Sequence, residues 1–478
     1  MRPACLPAPI AENAHALAAV GVFDLFPRTP RVEALALLRP RRARPLCFAG
    51  IDGSHGPGGF DMVIRKSLLE LIFSGSFMKR WNDKLRPMEL VEVDKQAHKM
   101  IVAWALCELS GRGRPLDERL ALAEEVVEGG LFDYLYRLVI TDIKPPVFYR
   151  IKANRPDYEK LTEWVLAELK PRIAPLGQDF CARMRAYLLD ADPDRPARRI
   201  LTAAHLYASF SEFKLLKRLN PQDEEMAEIE QSFTRQLDGL RDLPGAPELL
   251  GPDGGRGEAA LGRFARICGQ LRFQKRWSQT PRVPETSVLG HMFAVAAYSW
   301  FFSLEVGACR ARRHNNFFAG LFHDLPELLT RDIISPVKLA AREIADLIRE
   351  YERKELDRVI LVPLERGGYA DLAERLSYFL GLEAGSEFHA TARPDGAVVH
   401  CTSAELAGRY NRDECDPKDG ELLKMADRLA AFIEAATALR NGIASDQLRQ
   451  ACWRIRQMYQ AEPMVAGVHV GALLADFD

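Results

Sequence analysis

Gly320–Lys338 reads GLFHDLPELLTRDIISPVK, and its apolar residues Leu321, Phe322, Leu325, Leu328 and Leu329 recur at helical spacing. Into that frame the chain sets His323, Asp324, Glu327 and Asp332 within a dozen positions. Gly130–Val147 reads GLFDYLYRLVITDIKPPV, the same frame with its ionisable residues changed. LFDYLYRLVITDIKPPV and LFHDLPELLTRDIISPV align without a gap at an offset of 190 (323 − 133).

Other landmarks repeat in the same order. Lys79-Arg80-Trp81 matches Lys275-Arg276-Trp277. Glu92 lies six residues before His98, and Glu285 six before His291, which pairs the two histidines. Ile200–Glu212, ILTAAHLYASFSE, matches Leu422–Glu434, LLKMADRLAAFIE, at an offset of 222 (427 − 205). Shared order over four landmarks points to a tandem duplication. On this pairing His291, His323, Asp324 and Asp427 stand opposite His98, Asp133, Tyr134 and His205, while Glu327 stands opposite Arg137. One half keeps a coherent set of ligand types. The other has Tyr for a carboxylate and a fixed cation where a base belongs, so it is expected to serve packing or regulation.

The rest of the chain fits a helical protein with two cores. At 478 residues it is long for one domain. With 47% hydrophobic and 27% charged residues it has the balance of a water-soluble protein, and a formal charge of −1 gives no reason to expect a nucleic acid polymer. No apolar run reaches membrane-spanning length. The nine dispersed cysteines lack CxxC spacing and read as reduced thiols of a cytoplasmic protein. Residues 1–61 are rich in Pro, Arg and Gly without periodicity, a composition that does not order itself, and Met62 is a candidate working start. Helical patterns fill 62–241, a Pro/Gly-rich stretch at 242–257 reads as a linker, and helices resume over 258–478. Within the last segment Phe388–Cys401, FHATARPDGAVVHC, carries Asp395-Gly396 between two β-prone runs, which predicts a small hairpin.

Two imidazoles and two carboxylates make a nitrogen/oxygen set suited to one divalent transition-metal ion: Mn, Co, Fe, Ni or Zn, with Mg also compatible. Glu327 follows His323 by four residues, so a continuous helix would set it on the same face, where a base for water belongs.

His…His-Asp…Asp resembles the signature of the HD-domain phosphohydrolase superfamily. Within it, HDLPELLTRDIISPVK most resembles the bacterial HD-type 5′-deoxynucleotidases, which also carry an Arg-Trp pair fifteen residues before the first ligand His, as Arg276-Trp277 stand here. The resemblance runs over about Phe273–Ala435. It implies an all-α chain of tandem HD-domain helical bundles, with the hairpin inserted in the second. It further implies metal ligation by His291, His323, Asp324 and Asp427, and proton handling by Glu327. Nucleotide contact would fall to Arg276 and Trp277, with Asp332 holding the sugar or ordering the site. Gly290 departs from the Glu that precedes this His in the family, and Gly381–Gly420 is longer than the compact nucleotidases require.

The expected activity is removal of phosphate from a small phosphomonoester, a nucleoside 5′-monophosphate above others, by a chain whose apolar helical faces are compatible with a homodimer. The alternatives are an HD hydrolase of nucleoside triphosphates or phosphodiesters, and a metal- or nucleotide-binding regulatory module without turnover.

Overall fold

Val288–Glu305, VLGHMFAVAAYSWFFSLE, is apolar around its circumference, and a helix without a polar face belongs in the middle of a structure. The computed structural model describes residues 64–190, 192–251, 258–330 and 342–478. In it this helix is buried from Val288 to Ser303. Helices that build or brace the site are labelled in chain order: α1 (Lys66–Ser74), α2 (Glu92–Gly111), α3 (Leu116–Ile140), α4 (Pro196–Lys217), α5 (Ala260–Gly269), α6 (Val288–Glu305), α7 (Arg310–Phe322), α8 (Glu327–Thr330), α9 (Ala370–Phe379), α10 (Gly420–Arg440) and α11 (Asp446–Ala461). The central helix, α6, packs against α7, α10 and α2, and α2 packs in turn against α3 and α4.

The stretches 62–241 and 258–478, expected as separate domains, share one hydrophobic core within a compact unit. Residues 242–251, the described part of the expected linker, give Leu243, Ala246 and Leu249 to that core. Two close approaches set the helix spacing. A Cβ on Gly320 of α7 would lie 2.8 Å from Ala296 Cα of α6, and one on Gly290 of α6 would lie 2.6 Å from Asp94 Oδ1 of α2. Gly290 stands where α2 crosses, and no larger side chain fits there without a shift. Asp94 accepts a hydrogen bond from Ser287 Oγ at 2.6 Å, and the same Ser287 hydroxyl caps α6 by accepting from Gly290 N at 2.9 Å.

Strand is sparse among the described residues. The expected hairpin is present: β1 (Thr391–Ala392) pairs antiparallel with β2 (Val399–His400), and Gly396 turns at φ +84°. A second hairpin joins β3 (Met464–Val465) to β4 (Val468–His469) through Ala466 and Gly467 at φ +50° and +92°. Both central residues being left-handed is what a tight two-residue hairpin needs. The sequence reading missed it because Ala is not a usual residue at such a site. Described cysteines are free thiols, and no helix among the described residues is long and apolar enough to cross a membrane. The leader 1–61 lies outside the described residues.

Three histidines outside the expected ligand set, His98 and His314 buried and His205 half-buried, are held neutral. Burial and then the Arg272 guanidinium push His98 down to about 3, and burial lowers His314. The Lys95 ammonium, followed by burial, holds His205 well below its usual value. A folded-state value below the unfolded one stabilises above the unfolded value of about 6.5, and that contribution is lost as pH falls. Conformational stability from urea titrations should therefore drop steadily below pH 6.5, and His98→Asn should flatten that slope.

Candidate metal centre

The chain reaches the site through an arm, Gln274–Val288, that precedes α6. Lys275 forms an antiparallel bridge with Ser287, Arg276 N donates to Thr286 O at 2.9 Å, and Val288 N donates to Gln274 O at 2.9 Å. At its tip Trp277 takes φ +54°, a left-handed conformation that costs an L-residue about 1–2 kcal/mol. Its indole N–H offsets that cost by donating to Glu434 Oε2 of α10 at 2.9 Å. The same carboxylate accepts from Arg276 Nε at 3.4 Å and, through Oε1, from Thr286 Oγ1 at 3.0 Å. The Arg282 guanidinium lies 3.7 Å away. Burial opposes ionisation of Glu434, but Arg276 and then Arg282 hold its carboxyl well below the usual range.

From this frame α6 projects His291. α7 ends at Phe322, and Pro326, which has no N–H and disfavours helix in the residue before it, closes the chain into a tight turn. In that turn Leu325 N donates to Phe322 O and Glu327 N to Asp324 O. The break corrects the expectation of one continuous helix from His323 to Glu327. It also explains how neighbouring residues converge: His323 Nε2 and Asp324 Oδ2 are 3.2 Å apart. His291, His323 and Asp324 bring ligand atoms within 4.8 Å of one another. Asp427 joins from α10, with Oδ1 3.1 Å from His291 Nε2 and 3.9 Å from His323 Nε2.

α7 and α10 are registered by buried polar contacts. The Arg312 guanidinium pairs with Asp419, Asp419 N donates to Asn316 Oδ1 at 2.8 Å, and Asp419 Oδ1 caps α10 by accepting from Leu422 N at 3.0 Å. Asp427 is therefore fixed relative to His323 by groups that never reach solvent.

The donor chemistry fits a divalent ion. His323 Nδ1 lies 2.8 Å from Gly320 O, an acceptor only, so Nδ1 carries a proton and Nε2 is the nitrogen turned to the cluster. That Nε2 is buried without a hydrogen-bond partner. In the metal-free chain burial disfavours the imidazolium, yet Asp324 outweighs burial and raises His323 to about 9. Asp324 is held well below the carboxylate range: burial opposes this, and His323 and Arg276 overcome it. The pocket is short of positive charge, which a cation coordinated by two imidazoles and two carboxylates would supply. His291 Nδ1 faces Glu434 Oε1 at 3.6 Å, the kind of outer carboxylate that orients a ligating imidazole.

The remaining expected residues fall as follows. Arg276 reaches Asp324 Oδ2 at 3.2 Å as well as Glu434. Trp277 packs beside Ala435, Ala438 and Leu448, with Arg282 5.5 Å over its ring. Glu327 is buried beyond the turn. Asp332 lies outside the described residues. Sequence reasoning gave Glu434 no role, although a Glu inside an apolar helix face, matched by Glu212, was a visible signal.

The arm's connections recur at 78–92. Lys79 bridges Val91, Arg80 N donates to Leu90 O, Glu92 N donates to Met78 O, and Trp81 has φ +56°. Trp81 Nε1 and Arg80 Nε donate to Glu212 Oε2 at 3.0 and 2.8 Å. Both bridges share an offset of 196 (275 − 79 and 287 − 91). This register sets Lys95, not His98, opposite His291, correcting the pairing made on Glu–His spacing. His98 lies a turn further along, against Gly269, 2.9 Å from Ala265 O and 3.2 Å from Arg272 Nη2. Lys95 bonds Glu92 at 3.2 Å, and Lys99 bonds Asp133 at 2.6 Å.

Residues 268–456 match the family model described as HD domain. No curated protein and no solved structure matches the chain. Glu434→Ala should cost about 3–5 kcal/mol of stability, the usual result of stripping one partner from buried charges, as read by chemical denaturation. His323→Ala should abolish metal retention, measured by elemental analysis, while leaving the far-ultraviolet dichroism unchanged. The region 268–456 is thus an HD-domain match built around a His291/His323/Asp324 cluster that Asp427 joins, and HD domains are in general metal-dependent phosphohydrolases.

Proposed function

We propose that this region hydrolyses a small phosphomonoester, most of all a nucleoside 5′-monophosphate, in the manner of the HD-type 5′-nucleotidases. The observation that carries the reading is the bare, buried Nε2 of His323 turned toward His291, Asp324 and Asp427. A divalent ion held by those four residues supplies Lewis acidity toward a phosphoryl oxygen and acidity to water. Glu327 takes the proton that the attacking water loses and returns it to the leaving oxygen as the ester P–O bond breaks, giving an alcohol and inorganic phosphate. Arg276 keeps Asp324 ionised and aimed, and Glu434 keeps Arg276 in place. Arg276 also lends charge to the phosphoryl group. Trp277 forms a wall beside it.

The half at 79–212 is, on this reading, an altered second copy without turnover. Its support is the shared arm, the paired left-handed tryptophans and the Glu212/Glu434 equivalence. Lys95 and Arg137 are built-in cations there, and Tyr134 spends its hydroxyl on Ile72 O.

Phosphate release should be measured on a nucleotide panel with metal-stripped protein reloaded with Mn, Co, Mg or Zn. Asp324→Ala should abolish it, Glu327→Gln should lower kcat by about 10²–10⁴-fold, and Asp133→Ala should leave it unchanged. Metal and nucleotide binding without turnover would instead favour the regulatory reading.

A further inference from the structure

Lys424 sits on α10 one turn before Asp427, so the two side chains share a helix face. Its ammonium lies 4.2 Å from the centroid of the Phe388 ring, and that ring lies 6.4 Å from the ring of His323. Lys424, Phe388 and the metal cluster therefore line one continuous wall. Both residues are half-buried, so the wall is open to a ligand.

The cations of this site differ in how they are already answered. Arg276 is shared by Asp324 and Glu434, and Arg282 lies against Glu434. Lys424 makes no ion pair or hydrogen bond among the described residues, and it rests on an aromatic face alone. An ammonium held near a dianion's binding place without a carboxylate of its own has charge to give.

Phe388 is not a loose loop residue. The chain at Phe388–His389 lies so close to Gly420, the first residue of α10, that a Cβ there would meet Phe388 C at 2.3 Å. Phe388 N donates to Ser386 Oγ at 3.2 Å, and His389 Nδ1 is 2.7 Å from Ala384 O. The long segment between α9 and α10 thus delivers a preset aromatic ring to the metal cluster.

We propose that Lys424 is the cation that binds a phosphoryl oxygen of the substrate and that Phe388 is the platform for a planar ring on its leaving group. The pair selects phosphomonoesters whose alcohol carries a nucleobase-like ring over those of open-chain or sugar alcohols. As the ammonium moves onto phosphate it uncovers the Phe388 face for stacking. The proposal rests on the phosphomonoester reading above and adds its substrate determinants.

Calorimetric binding to the metal-loaded Glu327→Gln protein tests it without turnover, using inorganic phosphate, ribose 5-phosphate and adenosine 5′-monophosphate. Adding Lys424→Met should weaken all three about ten-fold or more, and Lys424→Arg should recover most of the loss. Adding Phe388→Leu should spare phosphate and ribose 5-phosphate but weaken the nucleotide about ten-fold, and Phe388→Tyr should restore it. Metal content and thermal midpoint of each variant exclude misfolding. Unchanged phosphate affinity in Lys424→Met, or unchanged nucleotide preference in Phe388→Leu, overturns the proposal. Turnover by the otherwise wild-type chain is scored separately. Lys424-dependent phosphate binding without turnover sinks only the hydrolase reading, and turnover indifferent to Lys424 and Phe388 sinks only this one.

Discussion

Glu434 is 2% exposed, and its carboxylate is shared by the Trp277 indole, the Thr286 hydroxyl and the Arg276 side chain, with Arg282 and His291 close by. One buried anion therefore ties the arm before α6 to α10, and through Arg276 it reaches Asp324 in the turn after α7. Three of the four cluster residues answer to it directly or at one remove. The left-handed turn at Trp277 persists because this anchor over-determines it. An ion pair of this kind adds little net stability over a hydrophobic equivalent, yet it is costly to break. Its return is geometric: it fixes where the ligand atoms stand.

Charge balance separates the two halves. Around His323 the carboxylates of Asp324, Asp427, Glu327 and Glu434 outnumber the two guanidiniums, a balance that a divalent cation would complete. Around Lys95 the count is already settled. Lys95 bonds Glu92, Lys99 bonds Asp133, and Arg80 bridges Glu92 and Glu212. A cation supplied by the chain itself needs no metal to neutralise the pocket.

Much of this was legible in the sequence for a physical reason. The apolar period set α6, α7 and α10, and the ligand types His291, His323, Asp324 and Asp427 stood out because ionisable residues on buried faces need a purpose. The Asp395-Gly396 turn carried its own backbone chemistry. Other features depended on contacts that no local pattern encodes. Lys95 was passed over for His98 because helical spacing tolerates a one-turn slip, whereas the bridge at Lys79–Val91 does not. The helix break at Pro326, the sharing of one core by both halves and the seating of Phe388 on Gly420 follow from tertiary packing. Glu434 was overlooked because its significance lies in what converges on it.

His291, His323, Asp324 and Asp427 are proposed to hold a divalent ion through nitrogen and oxygen donors. X-ray absorption at the metal edge of the cobalt-loaded protein tests it most directly. The expected spectrum has a first shell of nitrogen and oxygen at about 2.0–2.2 Å with the multiple scattering of two imidazoles, one imidazole being lost in His323→Ala. A sulfur shell, or a spectrum unchanged by that substitution, would contradict it.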